Sequence, residues 1–366
     1  MQLHPALLAC WLLATAAHAT PYLPAKGSEV IERLPRRADP AQAELARLRA
    51  RLAADPGNIA LAASTAQRYI ATARAETDPR YYGYAQAALQ PWWSLAVPPL
   101  EVRLLRATLL QSTHHFPEAM ADLDAVVAAD PRHAQAWLTR ATVQTVRGDY
   151  TGARASCARL SALAPELVTI ACLANVGALS GQARQSEALL ELTLGRNPEA
   201  AEEVQVWALT LLAEMAERRG DTRAAGQRYA RALALSPRDS YLLGAYADFL
   251  LDQHRPAEAD RLVREYTRID ALLLRHALAL QQLPGQQAAL REAIDQLQAR
   301  FAAAAQRGDT VHMREQARFE LLLRGDAKTA LVLAQRNYAV QKEPADLRIL
   351  REAVRLAERL AKKGDT

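Results

Sequence analysis

The side chains with most chemistry to offer in these 366 residues are three cysteines and eight histidines. Cys157 and Cys172 lie almost symmetrically about Ala164-Pro165, so in an antiparallel helix pair they would stand at nearly the same height. Two readings are open: a disulfide stapling neighbouring segments, which an oxidising compartment permits, or two reduced cysteines acting as small core residues. The histidines carry no metal signature. His114-His115 sit in a turn, where adjacent side chains diverge, and neither a His-Glu-x-x-His motif nor a Cys/His cluster occurs. A nucleophile elbow, a Walker loop and a dinucleotide fingerprint are also missing. Carboxylates abound, but on helices they ordinarily form a solvated face. The chain is therefore expected to be non-enzymatic, with no metal and no cofactor.

Arg-Gly-Asp recurs at Arg147-Gly148-Asp149, Arg219-Gly220-Asp221, Arg307-Gly308-Asp309 and Arg324-Gly325-Asp326. Gly supplies a backbone conformation that ends a helix cheaply, Asp can cap the next helix, and Arg in a last turn suits the helix dipole. The tripeptide thus predicts helix-to-helix turns rather than an adhesion signal. The first two copies lie 72 residues apart, about two repeat lengths, and Gly308 precedes Gly325 by half of one.

Half of the residues are apolar, aromatics are only 5%, and Ala and Leu dominate, which favours close-packed helices over a sheet. Pro131, Pro165 and Pro198 follow one another after 34 and 33 residues, with Pro237 after 39 more. Each closes a unit of two amphipathic stretches joined by a short polar turn. The clearest unit, Ala134 to Leu167, has Trp137, Ala141, Gly148-Asp149-Tyr150, Ala153 and Pro165 at matching positions. It closely resembles a tetratricopeptide repeat, departing from the pattern at Arg140, where Leu is usual, and at Cys157, where an aromatic is usual. Copies follow the same register at Leu100 to His133 and at Val206 to Asp239, and weaker ones at Pro56 to Pro91, Leu167 to Ala200 and Val311 to Pro344. Residues 270–305 are helical but off register.

The resemblance implies an all-α, right-handed superhelical solenoid of stacked antiparallel helix pairs, because one hairpin cannot bury its apolar face alone. The array is expected over 41–344. Leu45, Leu48 and Leu52 would cap it at one end, and a final helix in 345–366, with Leu347, Leu350, Val354 and Ala357 on one stripe, at the other. In proteins of this family the first helices line a concave groove that holds a peptide or partner surface. That register points to Glu101, Thr108 and Gln111, to Gln135, Leu138, Thr142 and Thr145, to Trp207, Glu214, Glu217 and Arg218, and to Tyr241, Asp248 and Asp252. Such a groove would be polar and uncharged early, then acidic.

Residues 6–17 form an apolar run too short to span a bilayer, and Ala17-His18-Ala19 follows as a small-x-small site. Residues 1–19 are expected to be a secretory signal peptide cleaved after Ala19, and the proline-containing stretch 20–40 an extended linker. Leu7-Leu8-Ala9-Cys10 resembles a lipobox, the alternative being a chain anchored through an acylated Cys10. The net charge of +5 comes from 45 cations against 40 anions interspersed along the chain, without the basic clustering of a nucleic-acid binder. The expected role is a protein or peptide scaffold or assembly factor in the periplasm of a Gram-negative bacterium, free of the membrane once the leader is removed. An accessory subunit positioning an envelope enzyme or export machine is the alternative.

Overall fold

The computed structural model describes residues 26, 40–76, 78–309 and 311–364. The leader 1–19, Cys10, and the linker apart from Lys26 and Pro40 lie outside them. The chain divides into two units, 1–44 and 45–366; of the first only Lys26, exposed in a bend, and the opening residues of a helix are described.

The described residues contain 19 α-helices and no strand. They are α1 (Pro40–Ala54), α2 (Ile59–Glu76), α3 (Arg80–Ala88), α4 (Gln90–Trp93), α5 (Leu100–Ser112), α6 (Phe116–Ala129), α7 (Ala134–Val146), α8 (Tyr150–Arg159), α9 (Glu166–Leu179) and α10 (Ala183–Arg196). There follow α11 (Glu202–Arg219), α12 (Thr222–Leu235), α13 (Ser240–Asp252), α14 (Pro256–Val263), α15 (Asp270–Gln282), α16 (Gln287–Gln306), α17 (Met313–Phe319), α18 (Ala327–Val340) and α19 (Pro344–Gly364). From α5 to α18 consecutive helices pair as hairpins, preceded by α2 with α3 and followed by α19 packed on α18. First helices also touch first helices along the array, as α2 on α5, α5 on α7, α7 on α9, α9 on α11, α13 on α15 and α15 on α17, and so form its inner layer. The result is an all-α helical-repeat solenoid.

The turns explain why the helices stop where they do. Gly148 follows α7 with φ +78°, a left-handed conformation that a side chain strains. Gly220 and Gly325 do the same after α11 and before α18, while Gly308 sits between α16 and α17. Asp149, Asp221 and Asp326 each accept the backbone N–H of a first-turn residue, from Gly152, Ala224 and Thr329 respectively. That satisfies a donor the helix leaves orphaned. His114 and His254 occupy the equivalent position in the α5–α6 and α13–α14 turns, with φ 62° and 56°.

The core is made of small residues at the helix crossings. Ala107, Ala119, Ala141, Ala153, Ala213, Ala225, Ala247 and Ala259 are all buried, and they let paired backbones approach. Larger side chains fill the layers between, among them Leu209, Leu212, Tyr229 and Phe249. Tyr229 stacks on Tyr246 with ring centroids 5.2 Å apart. Both departures of the clearest repeat are compensated. Arg140 donates to Asp124 and Ser156 at 2.7 Å each and lies over the Trp137 ring at 5.7 Å. Cys157 forms a disulfide with Cys172 between α8 and α9, with Cα atoms 5.6 Å apart.

Residues 270–305 do continue the array, as the hairpin α15–α16. The register is lost in the sequence because α16 runs for 20 residues, against 8 for α14 before it, so the spacing of the markers shifts. At the C-terminal end the buried stripe of α19 is Asp346, Ile349 and Ala353, with Leu350 and Leu356 packed beside it. Leu347, Val354 and Ala357 are half-buried, so the stripe is rotated from the expected one. The reason lies in Arg314, which draws the Asp346 carboxylate inward at 2.5 Å. At the other end Leu45 is buried and Leu52 packs beside it against α2, α3 and α5 residues.

Candidate functional site

The inner face of α5 and α7 offers less free polarity than its composition suggests. The hydroxyls of Thr108, Thr142 and Thr145 donate to the carbonyls of Leu104, Leu138 and Ala141, at 2.9, 3.0 and 2.7 Å. Thr145 is buried besides. Gln135 is exposed and donates its amide to Thr139 at 3.1 Å, while Glu101 and Thr142 are exposed and Gln111 and Leu138 half-buried. Trp207 of α11 packs between two core clusters, one around Leu209 and one around the disulfide. It anchors the repeats more than it faces a groove.

Farther along, α11 and α13 bring acidic groups together. Tyr241 donates its hydroxyl to Glu214 at 2.7 Å, and Tyr229 donates to Glu217 at 3.0 Å. Arg218 stands 3.8 Å from Glu214, too far for a hydrogen bond. Burial raises the pKa of Glu214 to about 7; Tyr241 and Arg218 favour its charged form, and the nearby Glu343 and Glu217 oppose it. Burial likewise raises Glu217, with Asp252 and Asp248 adding repulsion. Tyr241 keeps 61% of its surface accessible although Glu214, Glu343 and Arg314 all lie near it. The ring is thus open to water beside these charged groups.

Asp248 and Asp252 lie in the same region but are not free. Asp248 accepts from Arg275 at 2.8 Å and from Arg318 at 2.7 Å. Burial works against its charge, yet the two guanidinium groups outweigh it and hold the carboxyl below its ordinary value. Asp252 accepts from Arg348 at 2.7 Å. The α13 end of the site, expected to be acidic, is thus neutralised by arginines from α15, α17 and α19. These partners sit 27, 70 and 96 residues away in sequence. No repeat register predicts them, because a register relates positions within units and says nothing of where the end of the array returns. The available signal was complementarity: arginine at 348, 351 and 355 on one helix and carboxylates on the first helices of earlier repeats.

Chemically this is a polar surface of carboxyls, arginines and tyrosines. It has donors, acceptors and one carboxyl poised to change its charge near neutrality. Among the described residues no group of three or more His, Cys, Asp or Glu side chains is placed to hold a metal ion. No helix among them is long and apolar enough to cross a membrane.

The fold and site together define a helical-repeat protein with tetratricopeptide-like hairpins. No family model matches the chain, and no curated protein does. Solved structures similar to it include PilW, a type IV pilus biogenesis factor, at 18% identity over 56% of this chain and 94% of that one, with a TM-score of 0.44. Human IFIT1, as a dimer with m7Gppp-AAAA, is 14% identical over 88% of this chain and 79% of its own, with a TM-score of 0.47. A tetratricopeptide repeat protein from Parabacteroides merdae is 12% identical over 86% of this chain and all of its own, with a TM-score of 0.41. The helix pairing itself, rather than these distant likenesses, carries the architecture.

Proposed function

We propose that this chain is a non-catalytic protein-interaction scaffold of the bacterial cell envelope. It is exported through a leader cleaved after Ala19, and it holds an extended segment of a partner protein against the inner layer of first helices. The observation that carries the reading is the Glu214–Tyr241–Glu217 wall. Two carboxyls, neither hydrogen-bonded to an arginine and only one of them within 4 Å of one, stand beside an exposed aromatic ring, a surface suited to a cationic, partly apolar segment. Large amphipathic aromatics with a polar tip are the side chains that most often anchor interfaces.

A photo-crosslinking residue in place of Tyr241, used in living cells, tests it. The expected result is a discrete adduct from the envelope fraction that is missing when the same residue replaces Leu189, which is exposed on the second helix α10. Identical adducts from both positions would remove the concave-face reading. Mass spectrometry of the purified chain tests export: Thr20 as the first residue supports it, whereas an acylated Cys10 replaces it with a lipid-anchored protein.

A further inference from the structure

Residues 338–348 do something that nearest-neighbour stacking does not require. They leave the last hairpin and meet residues at the turns of repeats far earlier in the chain. The backbone N–H of Lys342 donates to the carbonyl of Val146 at 2.7 Å. That carbonyl belongs to the last residue of α7, one of those a helix C-terminus leaves without a partner. Gln341 places its Nε2 2.6 Å from His114 Nε2. The amide orientation is fixed, because its oxygen accepts from Arg314 at 3.1 Å; the amide therefore donates and a neutral imidazole accepts. Val340 packs into the cluster of Phe116, Leu123, Val143 and Val146. Lys342 lies so close to Gly148 that a β-carbon there would stand 3.2 Å from its side chain. Beyond the turn, Glu343 pairs with Arg314 and approaches Glu214 and Tyr241, and Arg348 pairs with Asp252.

One short stretch therefore meets the α5–α6 turn and the end of α7 with the turn after it, and through Glu343 and Arg348 it comes near α11 and pairs with α13. We infer that the turn 341–343 is a releasable latch that closes the concave face by joining the last hairpin to the second and third. The bond it makes is thin by design of its chemistry: one backbone hydrogen bond, one amide–imidazole contact, one valine and the Lys342 stem laid on Gly148. Joints such as α6 on α7 and α8 on α9 pack helix against helix instead. Each polar latch contact also has a ready substitute in water, since a helix-terminal carbonyl, an amide and an imidazole all solvate well. In a quasi-one-dimensional stack, small changes at each joint add up at the ends, so the ends part before any hairpin melts. What the latch controls, access to the concave face, rests on the reading proposed above; the latch itself does not.

The test needs no partner, so its failure and the failure of that reading are separate results. Spin labels are placed at the exposed positions Arg147 and Ala345 in the full chain with Cys10→Ser, leaving the disulfide intact. Lys342 bonded to Val146 keeps these backbones within about 20 Å, from the hydrogen bond and the reach of the four residue steps that flank it. Lys342→Pro removes the donor, and Gln341 already has the extended φ −120° and ψ 133° that a following proline allows. Lys342→Ala keeps the donor and serves as the reference. The expected result is a dominant short distance in the parent, with a long-distance population about tenfold larger in Lys342→Pro than in Lys342→Ala, the effect of one net hydrogen bond. Val340→Ser should act in the same direction, and unchanged circular dichroism confirms that the hairpins persist in each variant. A single short distance in all variants would show a closure that these contacts do not hold. Long distances in the parent would show that the ends do not meet. Either result overturns the proposal.

Discussion

Glu214→Gln isolates the most perturbed carboxyl on the inner face. Its pKa, moved by burial from 4.5 to about 7, means that the folded protein holds a proton the unfolded chain has already released. Between those values the native state binds more protons, so stability falls as pH rises and levels off above about 7. A shift of about 2.5 units corresponds to roughly 3 kcal/mol at most, at 1.36 kcal/mol per unit. Glu214 keeps 20% of its side chain exposed, which lets water relieve part of the cost; about 1–2 kcal/mol is the working figure. Other groups titrate too, and His114, lowered to about 4 chiefly by burial and then by Arg314, pulls the other way: its stability contribution is lost as pH falls below its unfolded value. The readout is therefore a double difference, urea unfolding of parent and Glu214→Gln at pH 5 and pH 8. The parent should lose about 1–2 kcal/mol more than the variant over that interval. Equal slopes for the two proteins would refute the assignment of Glu214 as a carboxyl held protonated near neutrality. Tyr241→Phe sharpens the test, because removing the hydroxyl that favours the carboxylate should move the inflection to still higher pH.

The remaining outcomes concern the turns and the staples. His254→Gly should raise stability by about 0.5–1 kcal/mol, since relief of the left-handed strain exceeds the added freedom of the unfolded chain. His114→Gly should gain less or lose, because its ring stacks on Phe116 at 5.5 Å and meets Gln341; urea midpoints compare the two. Replacing Cys157 and Cys172 together by Ala should cost about 3 kcal/mol, the value for a closed loop of 15 residues, measured against the parent with and without reductant. Arg314→Ala should cost about 3–5 kcal/mol by stranding the Asp346 carboxylate, which is 1% exposed, and the Arg314→Ala, Asp346→Asn pair should recover part of it.

What the sequence displays of this protein is whatever nearest neighbours decide. The Gly-Asp turns, the alanines at the crossings and the proline spacing all act within one hairpin or between two, so they are visible as a period. Leu45 and the α19 helix are visible for the same reason, since an end of a stack must cover its last apolar face. The groove residues divide along this line. Glu214, Glu217 and Tyr241 take their hydrogen-bond partners from the same or an adjacent repeat, and the register brought them together. Asp248 and Asp252 take theirs from Arg318 and Arg348, whose positions depend on the accumulated twist of every joint between. A few degrees at each of several joints decides whether the last hairpin reaches the second, and no residue spacing encodes that sum. The same logic says where the molecule should yield. Contacts between neighbours are repeated and mutually supporting, whereas the closure at Val146 and His114 occurs once and is seconded only by the ion pairs of Arg318 and Arg348 with α13, so on the inference above it is the joint at which a binding partner can act with least work.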